Sequence, residues 1–276
     1  MKKDFEKLFL QVYGPFLQEH GFVKKKLKAQ WSQYVIYLSY DKQAGLLRMI
    51  YWKILLAGDT GLYDIELAVS SLSTYDNEDT YYNPYPTPCF QHFNVRIFNS
   101  HKLKQVNQRQ NDLAFHYFRD NPELTILGLQ VTFEIAMEYK QFILANSISQ
   151  YFDESMLFCS KGFYISHDVA FNDAIMMNNI TKAIEILDYR ISRLKEYIES
   201  SQLDLMDPHY NLMDPHYKSF IESCTKRIER CQNEIFEITQ IKEQLLRGEY
   251  SHFQEKVQQS HALCLKWIDE VLKPKK

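Results

Sequence analysis

The chain has 276 residues, 45% of them hydrophobic and 14% aromatic, enough to bury one sizeable core or two modest ones, which excludes a disordered chain. Lysine and arginine number 32 against 35 aspartates and glutamates, a net charge of -3, so no overall pull toward nucleic acid or an anionic membrane is expected and only local patches remain. Five cysteines with no CxxC pair fit reduced thiols, and the expected setting is the cytoplasm.

The opening MKKDFEKLFLQVY places Asp4, Glu6 and Lys7 where a signal peptide needs an apolar run. Phe5, Leu8, Val12 and Phe16 instead recur at three and four, which predicts an amphipathic helix over 3–20 with Gly14-Pro15 as a kink and Gly21 as its stop. Three strands follow, at 31–40, 46–56 and 63–72, rich in aromatic and β-branched residues. Their connectors, DKQAG and AGDTG, have hairpin turn chemistry, so the economical reading is an antiparallel three-stranded meander. The most apolar window, LLRMIYWKILLA (46–57), is broken by Arg48 and Lys53 and too short to cross a bilayer, so no membrane association is expected.

Residues 73–93, STYDNEDTYYNPYPTPCFQHF, are too dense in Pro, Asn and Asp for regular structure. A helix is expected at roughly 101–118. Asn121 then caps, and Pro122 opens, a long helix running toward Tyr151.

The order of an N-terminal helix, the string HGFVKKK, a Trp31-bearing strand, a meander and later helices resembles an uncharacterised bacterial α+β domain family catalogued only as a domain of unknown function. The resemblance covers about the first half of the chain. It implies a setting among bacterial immunity or antiviral defence proteins and carries over no catalytic residue.

From Met177 the pattern changes. Met177, Ile180, Ile184, Leu187, Ile191, Leu194 and Ile198 form one heptad seam; Ile221, Cys224, Ile228, Cys231, Ile235, Ile238 and Leu245 form a second, ending at Gly248. Val257, His261, Cys264, Ile268 and Val271 make a third behind a Ser251/Gln254 capping box. Between the first two lies a doubled LMDPHY, whose prolines oppose one continuous helix while Asp-Pro is a good helix opener. Asp214-Pro215 is therefore expected to start the second long helix, with Asp207-Pro208 a redundant copy in the connector. The fold expected is α+β in two domains: 1–155, helix plus meander with a helical middle, and 156–276, an antiparallel coiled-coil-like hairpin with a third helix packed on it.

Site candidates are weighed against structural readings. Asp207, His209, Asp214 and His216 are potential metal ligands, but without a nearby Cys pair or HExxH spacing the doubled helix opener is preferred. Cys89 and His92 have ligand-like spacing and no second pair; Cys224 and Cys231 are too far apart for a mutual disulfide and read as core thiols, with pairing to Cys264 or to a second copy of the chain as the alternative. GDTG at 58–61 supplies a single aspartate where aspartic protease chemistry needs two. Glu134 and Glu138 lack the Glu-x-x-His of bundle di-metal sites and read as one wet edge. With 8 glycines and no GxxxxGK[ST], GxGxxG or GxSxG, no cofactor and no catalytic residue are assigned.

What remains is binding. Tyr81, Tyr82, Tyr85 and Phe90 are candidate partner contacts, because aromatic anchors dominate interfaces. Lys24, Lys25, Lys26 and Lys28 beside Trp31 are the candidate nucleic-acid patch. The expected function is a non-catalytic protein-binding or regulatory component, with nucleic-acid binding or processing as the alternative. The expected partner is another protein, or a second copy through the hairpin.

Overall fold

The computed structural model describes residues 2–25, 34–57, 60–74, 93–96, 115–159, 167–206 and 215–272. Helix α1 (Lys2–Glu19) buries Phe5, Phe9, Tyr13, Phe16 and Leu17, the stripe its spacing predicts, and continues through Pro15. It stops where Gly21 takes φ +67°, which lets Phe22 N–H reach the Leu17 carbonyl (2.8 Å) and Gly21 N–H the Gln18 carbonyl (3.3 Å). These are the two bonds of a Schellman cap.

The sheet follows: β1 (Val23–Lys25), β2 (Tyr34–Asp41), β3 (Leu46–Ala57), β4 (Thr60–Ser70), β5 (Phe93–Arg96) and β6 (His116–Phe118). It is antiparallel in the order β1-β2-β3-β4-β5, and β6 also pairs with β4. The meander of three is thus the centre of a larger sheet. The additional strands have three or four residues each, too few to show alternation. One edge of β4 serves two of them, with Thr60–Leu62 opposite β6 and Glu66–Val69 opposite β5. The tail of the helix expected at 101–118 is therefore strand, and the remainder of that expectation lies outside the described residues.

Registers of Val35 with Trp52 and of Trp52 with Ile65 put one set of side chains under α1. Phe5 meets Trp52, Tyr63 and Tyr117 with ring centroids 4.8, 4.9 and 5.6 Å apart, and Phe9 lies between Tyr13 and Tyr37. Both faces are covered, which is why β3 and β4 read as nearly unbroken apolar runs rather than clean alternation.

Helix α2 (Pro122–Met137) lies against α1, where Tyr13 Oη donates to Thr132 Oγ1 (3.1 Å) and Tyr13 meets Phe133 edge-on. Asn121 caps α2 through Leu124 N–H, as its Asn-Pro signature predicts. The helix does not run on to Tyr151: α3 (Lys140–Ile143) and α4 (Ile148–Cys159) are separate. The break has a local cause in Ser147, whose Oγ accepts from Gln150 N–H, while Gln150 Oε1 accepts from Asn146 N–H. A Ser-x-x-Gln pair of this kind opens a new helix.

The remaining helices are α5 (His167–Met176), α6 (Ile180–Met206), α7 (Pro215–Leu246) and α8 (Ser251–Leu272). By internal contacts the chain forms two units, Met1–Val169 with Gln258–Lys276, and Ala170–Val257. The second half of α8 belongs to the sheet unit. Its Cys264 and Ile268 join Ile36, Leu38, Leu47, Met49, Tyr51, Ala68 and Leu72 on the sheet face away from α1. The seam expected to lie on the hairpin is thus used on the sheet over these turns, because a helical apolar stripe carries no information about which apolar surface it meets.

Candidate functional site

The hairpin of α6 and α7 is the part of the molecule whose sequence pattern is most regular. Asn179 Oδ1 accepts from Lys182 N–H (3.0 Å) and caps α6. Along α7 the buried positions Cys224, Cys231, Ile238 and Leu245 are seven apart, with Ile221, Ile228 and Ile235 half-buried three positions before the first three of them. On α6 the seam extends past Ile198 to Ser201, which is buried, and Leu205, which is half-buried.

Two ion pairs fix how the helices run. Arg190 Nε and Nη2 lie 2.8 and 2.6 Å from Glu234 Oε1, and Lys242 Nζ lies 2.5 Å from Asp188 Oδ1. A small step forward on α6 therefore corresponds to a step backward on α7, the antiparallel order expected around the doubled LMDPHY. Pro215 is the first residue of α7, as the Asp-Pro opener predicts.

Away from the seam the hairpin leaves large apolar groups bare. Tyr189, Tyr197, Leu203, Met206, Phe236 and Leu246 are 52% to 77% exposed. At about 3.6 residues per turn, Tyr189 points away from the seam and Tyr197 sits on its flank. The Arg193 guanidinium lies 5.9 Å from the Tyr197 ring centre and also pairs with Glu196. A groove of about 620 Å³ opens around the Arg190–Glu234 pair, lined by three cations (Arg190, Lys226, Arg230) and three carboxylates (Glu229, Glu234, Glu237). The charges of the groove thus balance, three against three, with Asn233 completing its lining.

Of the residues singled out in the sequence, Lys24 and Lys25 lie on β1, and Lys24 Nζ donates to Glu6 Oε2 at 2.6 Å. Tyr37 Oη donates to the same carboxylate (2.9 Å), and burial, reinforced by Glu6, pushes the Tyr37 hydroxyl well above its ordinary range. Lys26, Lys28, Trp31, Asp59, Tyr81, Tyr82, Tyr85, Cys89, Phe90, His92, Asp207, His209 and Asp214 lie outside the described residues. His216 is in the first turn of α7, and Glu134 and Glu138 are exposed on or just beyond α2. Cys224, Cys231 and Cys264 are buried. Among the described residues no three His, Cys, Asp or Glu side chains come together as a metal site, and no helix is long and apolar enough to cross a membrane.

One polar cluster escaped the sequence reading. Asp64 and Glu66 alternate with apolar residues in YDIELA, so both project from one face of β4, and each is only 7% exposed. Tyr51 Oη donates to Glu66 Oε2 (2.8 Å). Opposite Asp64 stands Lys53, whose Nζ lies 3.3 Å from the Tyr34 hydroxyl and 5.2 Å from its ring centre. The signal was present as paired acids at i and i+2 inside an apolar strand, a position acids occupy almost only when partnered.

No protein-family model matches the sequence, and no curated protein and no solved structure matches it significantly.

Proposed function

We propose that this chain is a non-catalytic protein-binding or regulatory component that engages another protein through the α6–α7 hairpin. The observation that supports this is the distribution of exposed apolar surface. Among the described residues, six of the eleven exposed large hydrophobic side chains lie on these two helices, whereas the sheet is covered on both faces. Bare aromatic and methionine side chains on a helix surface suit a helical partner. The mixed charges of the Arg190 groove supply register rather than affinity. A bacterial immunity or defence setting rests on the N-terminal resemblance alone.

The test is affinity capture with the wild-type chain and with Tyr197→Ala/Phe236→Ser, alongside light scattering for self-association. A protein recovered by wild type and lost with the double variant is the expected result, each anchor contributing about 2 kcal/mol if central to the contact. Retention of every partner by the double variant overturns the assignment to the hairpin. Binding of DNA or RNA at low salt that weakens steeply as salt rises favours the lysines at 24–28 instead.

A further inference from the structure

We propose that protonation of His261 releases the second half of α8 from the sheet face, making this docking a built-in acid-sensitive latch. The residues concerned all belong to the sheet unit. After β4 the chain turns sharply through Ser70-Ser71-Leu72-Ser73, and Leu72 is buried with φ +62°, a left-handed conformation that a non-glycine residue adopts at a cost. Local bonds hold this turn: Leu72 N–H donates to Ser70 Oγ (3.0 Å) and Ser73 N–H to Ser71 Oγ (3.3 Å). The Leu72 side chain is clasped by the cluster that contains Cys264 and Ile268.

His261 stands one turn before Cys264 on α8. Its ring reaches the carbonyls of Ser71 and Leu72, while Nδ1 is buried with no hydrogen-bond partner. The neutral ring fits that arrangement, because an unprotonated Nδ1 needs no acceptor and none meets it. Adding a proton there creates a charged donor without an acceptor, the costly kind of burial. Burial accordingly holds the ring's pKa below 6.5, partly offset by the two carbonyls.

No described acid is placed to compensate. The neighbours of His261 on α8, Val257, Gln258, Cys264 and Leu265, are uncharged, and Asp269 is two turns away, about 12 Å along the helix. On β4, Asp64 and Glu66 lie four or more residues before Ser70, about 13 Å or more along the strand. From β2 the titratable groups on this face are the phenols of Tyr34 and Tyr40, and from β3 they are the phenol of Tyr51 and Lys53, whose charge would oppose protonation.

The sign follows from linkage. With the docked pKa below the released value, the released form takes up the proton first as pH falls through 6.5, so docking is intact above that pH and weakens below it.

Cys264, fully buried in the latch, is the reporter. The full-length protein is labelled with 4,4′-dithiodipyridine between pH 7.5 and 5.0, rates are read by peptide mass spectrometry, and each is divided by that of a free cysteine peptide at the same pH. The expected result is a rise of about fivefold or more in the relative Cys264 rate on acidification, with Cys224 and Cys231 unchanged, and a flat profile in His261→Gln or His261→Phe. The His261 ring resonance, identified by its loss in His261→Gln, should titrate below pH 6.5 and in step with Cys264 labelling in the wild type. A flat wild-type Cys264 profile, a parallel rise at Cys224 and Cys231, or a ring that titrates at or above 6.5 overturns the proposal. Should both variants already label fast at pH 7.5, the two wild-type measurements decide.

Discussion

Removing the Phe5 ring is the sharpest test of how the sheet unit is held. Phe5 is completely buried and touches Trp52, Tyr63 and Tyr117 with centroids within 5.6 Å, two of the three edge-on. Truncating a buried phenylalanine costs about 3–5 kcal/mol. The aromatic pairs, worth about 0.5–1.5 kcal/mol each beyond area, put Phe5→Ala at the upper end of that range. Phe5→Leu keeps most of the volume and should lose about 1–2 kcal/mol. Trp52 and Trp267 fall within the sheet unit and the sequence has no tryptophan over 170–257, so tryptophan fluorescence in urea does not follow the second unit, while far-ultraviolet dichroism follows both. With a slope of about 2 kcal/mol per molar urea, Phe5→Ala should lower the fluorescence midpoint by about 2 M, with little change in slope. A loss below about 1 kcal/mol would refute the packing of α1 on this face.

Other expectations test separate elements. Tyr51→Phe leaves the buried Glu66 carboxylate with one donor fewer and should cost about 1–3 kcal/mol in the same urea assay, an effect that Glu66→Gln in the same chain should largely absorb. A double-mutant cycle on Arg190 and Glu234, read by dichroism, should give a coupling of about 1 kcal/mol or less, since both side chains keep a quarter or more of their surface in water. A coupling of zero would remove this pair from the account of the hairpin. Gly248→Ala meets no atom within 4 Å but must adopt φ +78°, so it should cost about 1 kcal/mol by thermal melting, through backbone strain alone.

Local chemistry was legible in the sequence wherever it is self-contained. Gly21 and Gly248 end their helices because both carbonyl-capping bonds need a left-handed residue, Asn121-Pro122 opens its helix because a capping side chain and a fixed φ act within one turn, and Pro215 stands first in α7. Heptad spacing gave both hairpin helices, since a stripe recurring every seven residues must be covered. The three central strands were equally plain from their aromatic and β-branched content.

Pairing over distance was not legible. The short strands β1, β5 and β6 exist because longer strands present open edges to them, and three residues such as His116–Phe118 carry no period of their own. The apolar stripe of α8 announces burial but not its target, and tertiary packing set Cys264 and Ile268 on the sheet. The same packing brought His261 onto the strained turn at Leu72 and set Asp64 opposite Lys53. Sequence by itself determined which residues must be buried and where helices start and stop, because those demands act over a few residues. Tertiary structure alone decided which buried surface meets which, because apolar contact is non-directional and many pairings satisfy the same pattern.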